Sequence, residues 1–266
     1  MSFTLRRGQA PLLVSMPHIG TEIPGELRAH YVERALAVED ADWHLDRLYD
    51  FLDELGASVL QPRYSRYVID LNRPPDDTPM YPGASNTELC PTRFFTGDAL
   101  YAEGRAPDAQ ERTRRREQYW EPYHHALAGE VQRLKQVHGF AVLWDAHSIR
   151  SRIPWLFEGV LPDLNIGTAG GASAALAIEE AVTREAAAED AFTHVVNGRF
   201  KGGYITRHYG RPGEHVHAVQ LEMVQRTYMD EAAPYAYDER KAAQVQPVVK
   251  RMVAAALEAG RKLYGG

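Results

Sequence analysis

The 266-residue sequence holds a single cysteine, Cys90. No internal disulfide can form from it, and a thiolate-rich zinc site is excluded. No stretch approaches the roughly 18 consecutive apolar residues that a membrane span requires, so no membrane partner is expected. Positive charge is not in excess either: 30 Lys and Arg stand against 36 Asp and Glu, a net charge of −6. That balance speaks against nucleic acid as a partner, which normally leaves a basic footprint. Internal repeats, low-complexity tracts and a convincing linker are also lacking, so one domain over residues 1–266 is expected. Arg6 and Arg7 precede an apolar stretch, but Pro11 and Pro17 interrupt it. It reads as a first strand rather than a leader, and a cytoplasmic location is expected.

What is present suffices for a sizeable core, with 44% hydrophobic and 25% charged residues. "PLLVSMP" suits a buried strand that ends just before His18. "VEDADWHLDRLYDFLDELG" places Trp43, Leu48, Phe51, Leu52 and Leu55 at helical spacing and stops at Gly56, predicting an amphipathic helix. "ASVLQP" and "RYVIDL" read as strands, the second delivering Asn72 and Arg73. Residues 74–106, rich in Pro, Gly, Asp and Thr, read as a long ordered loop of the kind that forms a lid or binding surface. A helix over residues 107–138 should kink at Pro122. "FAVLWD", "THVVNG" and "VHAVQLEM" follow as strands, with helices in "ASAALAIEEAVTREAAAE" and over residues 238–264. Strands alternating with helices predict an α/β fold, a mixed and mostly parallel sheet with helices on both faces.

In such sheets ligands bind at the carboxyl ends of the strands. The residues expected there are His18, Asn72, Arg73, His147 and Glu222. Two histidines and one carboxylate make the open site of a catalytic zinc, with water in the fourth position. The third ligand stays open among Glu22, four residues past His18, and Asp42 and Asp46, at i, i+4 spacing on the next helix. Glu222 alternates with Val216, Ala218 and Gln220, which puts a carboxylate on an inward-looking face. His124 and His125 read as surface or packing histidines. "GTAGGAS" lacks the Lys and Ser/Thr pair that a phosphate cradle needs.

The combination "PHIGTE", "SRYVIDLNRP", "LWDAHSIRS", "NGRFKGGYITRHYG" and "HAVQLEM" resembles the N-formylglutamate deformylase (N-formylglutamate amidohydrolase) family, from about residue 10 to residue 232. The resemblance implies a zinc-carboxypeptidase-like (phosphorylase/hydrolase-like) fold. It also implies Zn2+-dependent hydrolysis of N-formyl-L-glutamate to formate and L-glutamate, in histidine degradation. His18 and His147 match metal ligands of the wider carboxypeptidase and aspartoacylase group. That group's acid follows its histidine by three positions, whereas Glu22 follows His18 by four, so Asp46 and Asp42 stay open. Asn72 and Arg73 would grip the α-carboxylate, Arg66 would polarise the carbonyl, and Glu222 would be the general base. A dicarboxylate also needs a second cationic contact, for which Arg207 and Arg150 are the candidates. The competing readings are a hydrolase of another N-acyl amino acid and a non-catalytic dicarboxylate-binding protein.

Overall fold

β4 (Ala141–Ile149) and β7 (Val216–Val224) are nine residues long, and every residue in both is buried. Strands of that kind need cover on both faces. They form the centre of a seven-stranded sheet in the computed structural model, which describes residues 1–80 and 86–265. With β1 (Phe3–Arg6), β2 (Leu12–Ser15), β3 (Ser58–Pro62), β5 (Leu164–Gly167) and β6 (His194–Val196), the order is β1, β3, β2, β4, β7, β5, β6. β3, β2, β4 and β7 run parallel, as do β5 and β6; β1 is antiparallel to β3, and β5 to β7. The sheet is therefore mixed and mostly parallel.

Alternation along the central strands builds two cores. Val142, Trp144 and Ala146 join Val219, Leu221 and Met223 on one face, under α4 (Leu176–Ala187) and α6 (Glu239–Tyr264). α6 starts at the Asp238 cap and buries Val245, Val248, Val249, Met252, Val253 and Ala256, the three-and-four spacing of a helix stripe. Each such aliphatic side chain contributes about 1.5–3 kcal/mol on burial. On the other face Leu143 and Ala218 meet Tyr123, Leu127, Val131 and Leu134 of α3 (Glu121–His138).

Four local expectations need correction. The strand expected in "FAVLWD" runs on through Ile149, because β7 continues to pair with it as far as Val224. The helix expected over residues 38–56 shrinks to α1 (Leu45–Leu48) and a 3-10 turn at Asp50–Asp53. Val38 and His44 have positive φ, 44° and 61°, which a helix cannot contain. "RYVIDL" is buried but makes no strand. The long helix is α2 (Ala109–Arg115), a π turn at Arg116–Trp120, and then α3. Pro122 has no N–H to donate back to the preceding turn, and the expected kink takes the form of this wide turn.

β5 and α5 (Tyr204–Tyr209) were not anticipated. From the loop expected over residues 74–106, Asn86, Thr87 and Phe95 reach the cavity described below, while residues 81–85 lie outside the described residues. No described helix is long and apolar enough to cross a membrane.

Candidate active site

Parallel pairing sets His147 opposite Glu222 and Asp145 opposite Gln220. Partners in register project to the same side, so these four polar side chains share the α3 face of the sheet. β2 pairs with β4 only as far as Ser15 opposite Asp145, so the last residues of β4 lose a neighbour there. A crevice opens at the carboxyl ends of the strands. The chain leaving β2 brings His18 to it, and the backbone N–H of Asp42 donates to the His18 carbonyl at 3.0 Å.

His18, Asp42 and His147 are all buried, and each offers a ligand atom within 4.8 Å of the other two. Asp42 Oδ2 is 3.2 Å from His147 Nδ1 and 3.7 Å from His18 Nδ1. The outer nitrogens face carboxylates: His18 Nε2 is 2.6 Å from Asp70 Oδ1, and His147 Nε2 is 3.2 Å from Asp145 Oδ1. Carboxylates behind imidazoles are the usual way to fix ring orientation at a metal site. Asp145 Oδ1 is buried without a hydrogen bond, and a ring that held a cation through Nδ1 would turn an N–H toward it. The donor set, two imidazoles and one carboxylate, fits a divalent cation such as zinc.

Electrostatics favours positive charge at this point. Burial works against protonation of His147, yet Asp145, Asp42 and Glu222 outweigh it and hold its pKa well above the ordinary 6.5. Burial, with the nearby Arg66, pushes His18 the other way, toward the neutral ring. Burial disfavours an ionised Asp70, but His18 and the guanidiniums of Arg66 and Arg73 keep its carboxyl well below the usual range. Burial also raises Glu222 to about 8 against the opposing charge of His147. A carboxyl near that value can both take and return a proton close to neutral pH.

His18, Arg66, Asn72, Arg73, His147 and Glu222, all expected from the sequence, line one cavity together with Gln220, Gly203 and Arg199. Arg66 Nη2 donates to Asp70 Oδ2 at 2.6 Å. Asn72 is committed at both ends of its amide: Oδ1 accepts from Ile205 N at 2.8 Å, and Nδ2 donates to Asp145 Oδ2 at 3.3 Å. A Cβ on Gly203 would come within 2.3 Å of that Nδ2, so only glycine leaves the amide in place.

Four expected residues stand elsewhere. Glu22 is exposed and paired with Arg63 at 2.8 Å. Asp46 is exposed on α1, and the break at His44 is what separates it from the buried Asp42. Arg150 donates to Asp40 Oδ1 at 2.6 Å, and Arg207 to the Gly202 carbonyl at 2.8 Å, both outside the cavity lining. Sequence reasoning passed over Asp70, although it sits inside the "DLNR" stretch, and Arg199, one of several cations in "GRFKGG".

The N-formylglutamate amidohydrolase family profile matches residues 10–229. The N-formylglutamate deformylase of Pseudomonas aeruginosa is 52% identical over 261 residues, 98% of each chain. That of Pseudomonas putida is 50% identical over 261 residues, 98% of this chain and 97% of its own. Among solved structures, the N-formylglutamate amidohydrolase of Ralstonia eutropha JMP134 superposes with a TM-score of 0.81 at 26% identity, covering 98% of this chain and 97% of that one. With half of all positions shared over nearly the full length of two relatives, the chain belongs to the N-formylglutamate amidohydrolase family.

Proposed function

We propose that this protein is a metal-dependent N-formylglutamate deformylase, hydrolysing N-formyl-L-glutamate to formate and L-glutamate. The observation that carries the reading is the convergence of His18, Asp42 and His147, the two histidines lining, with Glu222, a cavity walled by guanidinium groups. His18, Asp42 and His147 would hold the ion, for which zinc is the choice that suits this donor set. When bound, it supplies Lewis acidity toward the formyl carbonyl and acidifies water.

The remaining steps belong to side chains. Glu222 takes the proton of the attacking water and passes it to the departing glutamate nitrogen. Arg66, fixed by Asp70, faces the charge that develops on the carbonyl oxygen. Arg73 receives the α-carboxylate, a bidentate match that a lysine would not offer. Asn72, whose amide is already committed, orients Asp145, behind His147, and the α5 backbone rather than gripping substrate.

The test is formate release from N-formyl-L-glutamate before chelation, after it, and again with zinc restored. Activity that disappears and returns supports both the reaction and the cation. Release that persists after complete chelation removes the metal from the reading, and no release under any condition removes the substrate.

A further inference from the structure

Tyr228 follows β7 after a 3-10 turn at Gln225–Thr227, and it is fully buried. Its phenol oxygen joins two distant parts of the chain: it donates to the Trp43 carbonyl at 2.9 Å and lies 2.7 Å from Oγ of Ser148. A phenol has one hydrogen and a carbonyl can only accept, so the Ser148 hydroxyl donates the second bond. Trp43 is the residue after Asp42, and Ser148 is the residue after His147. One atom is therefore tied to the chain neighbours of two members of the metal-ligand cluster.

The Asp42 turn has little else to hold it. Residues 38–44 belong to no helix or strand, and His44 stands at a φ of 61°. Support comes instead from the segment that follows β7. Gln225 Nε2 donates to the Ala41 carbonyl at 3.0 Å, His44 Nε2 is 2.8 Å from the Tyr235 carbonyl, and the Trp43 ring stacks on Tyr235. Tyr228 itself has a fixed base. Its N–H donates to the Gln225 carbonyl at 3.1 Å, and its carbonyl accepts from the N–H of Asp238, the cap of α6, at 2.9 Å.

We infer that Tyr228 is a positioning residue for the cation site, which sets the 3.2 Å separation between Asp42 Oδ2 and His147 Nδ1. The inference rests on the metal-dependent reading and goes beyond it by naming what aligns the two ligands. His147 is held in place by strand pairing on β4, whereas a carboxylate on an irregular turn has backbone and rotamer freedom that ion binding must remove. The phenol removes that freedom before the ion arrives. Its loss therefore weakens ion binding, because a site that is not preorganised must be ordered by its ligand.

The experiment titrates zinc-loaded wild type, Tyr228→Phe and Tyr49→Phe with a chelating dye that competes for the ion. Tyr49 is the control, a buried phenol whose hydroxyl accepts from Trp144 Nε1 at 3.2 Å. Tyr228→Phe should bind zinc about tenfold or more weakly, the size expected for a group that supports metal ligands from behind, while Tyr49→Phe keeps the wild-type affinity. Wild-type affinity in Tyr228→Phe overturns the inference, and so does an equal loss in both variants, which a general loosening of the core would produce. If Tyr228→Phe does not fold, Ser148→Ala carries the test. It deletes one of the two bonds from the other side, and unchanged affinity in it overturns the inference. Wild type that takes up no zinc removes the metal-dependent reading as well. Zinc taken up without formate release removes the substrate reading alone.

Discussion

Asp70 Oδ1 lies 2.6 Å from Nε2 of His18, and its other oxygen accepts from Arg66 at the same distance. One buried carboxylate therefore fixes two groups at once. It holds the outer N–H of a neutral imidazole, leaving Nδ1 turned toward Asp42, and it holds the guanidinium that faces the reacting carbonyl. Asp70→Asn keeps the size but loses the charge. Metal affinity should fall about 10- to 100-fold, as for other carboxylates that support ligating histidines, and kcat should fall with it. Competition with a chelating dye measures the first effect. Unchanged affinity would mean that His18 is oriented by something else.

Asp42 is the carboxylate that completes the cluster, while Glu22 and Asp46 face solvent. Asp42→Ala should reduce bound metal well below one equivalent, while Glu22→Gln and Asp46→Asn should retain it. Elemental analysis of the three purified variants decides. Full metal in Asp42→Ala would return the third position to another group.

Glu222 faces the cavity from β7, opposite His147, and is the only acidic side chain in the lining among the described residues. Glu222→Gln preserves shape and cannot accept the water proton, so kcat should drop by roughly 10²- to 10⁴-fold with metal content unchanged. Normal turnover in the variant would remove Glu222 as the base.

The sequence made the scaffold legible wherever periodicity was uninterrupted. β4, β7, α3, α4 and α6 each carry a continuous apolar run or stripe; Glu222 was visible as a polar residue on such a strand, and His147 was expected just past the end of its own. The third ligand was not decidable in the same way. Asp42 and Asp46 share a helical spacing, and only the left-handed backbone at His44 separates them. "RYVIDL" failed for a related reason. It is apolar enough for a strand, but the Val68 and Leu71 carbonyls accept from Arg115 and His124 of a distant helix and that of Tyr67 from the Tyr31 hydroxyl, partners that no local pattern encodes. Arg199 stood among several cations, and only the folded crevice distinguishes it.

That helix yields a further prediction. Arg115 Nη1 donates to the Val68 carbonyl, Trp120 Nε1 to that of Arg73, and His124 Nε2 to that of Leu71. The π turn at Arg116–Trp120 sets the spacing between the first of these and the other two. Together they hold the segment that carries Arg66, Asp70, Asn72 and Arg73. Trp120→Phe keeps an aromatic ring and loses one hydrogen bond, so stability should fall by about 1 kcal/mol. KM should rise more than kcat falls, because the loosened carbonyl belongs to Arg73. Kinetics indistinguishable from wild type would show that Arg73 needs no such support.

His124 itself predicts a pH dependence of stability. Its Nε2–H donates to the Leu71 carbonyl at 2.8 Å, its Nδ1 accepts from the Tyr209 hydroxyl at 2.9 Å, and its ring stacks on Trp120. Both contacts are made by the neutral ring, and burial lowers the pKa to about 3. The unfolded chain takes up this proton near the ordinary 6.5, so between pH 6.5 and 3 the unfolded state binds more protons than the folded one. Stability is then fully present above about pH 6.5 and is lost as pH falls through that window. From pH 7 to pH 5 the loss attributable to His124 is about 2 kcal/mol. His217, lowered by burial to about 4, adds a loss of the same sign. His124→Gln retains an amide donor for Leu71 and cannot titrate, so it leaves the His217 contribution untouched. In urea denaturation, wild type should lose about 2 kcal/mol more than this variant between the two pH values. Parallel losses in both proteins would mean that His124 carries its proton in the folded state.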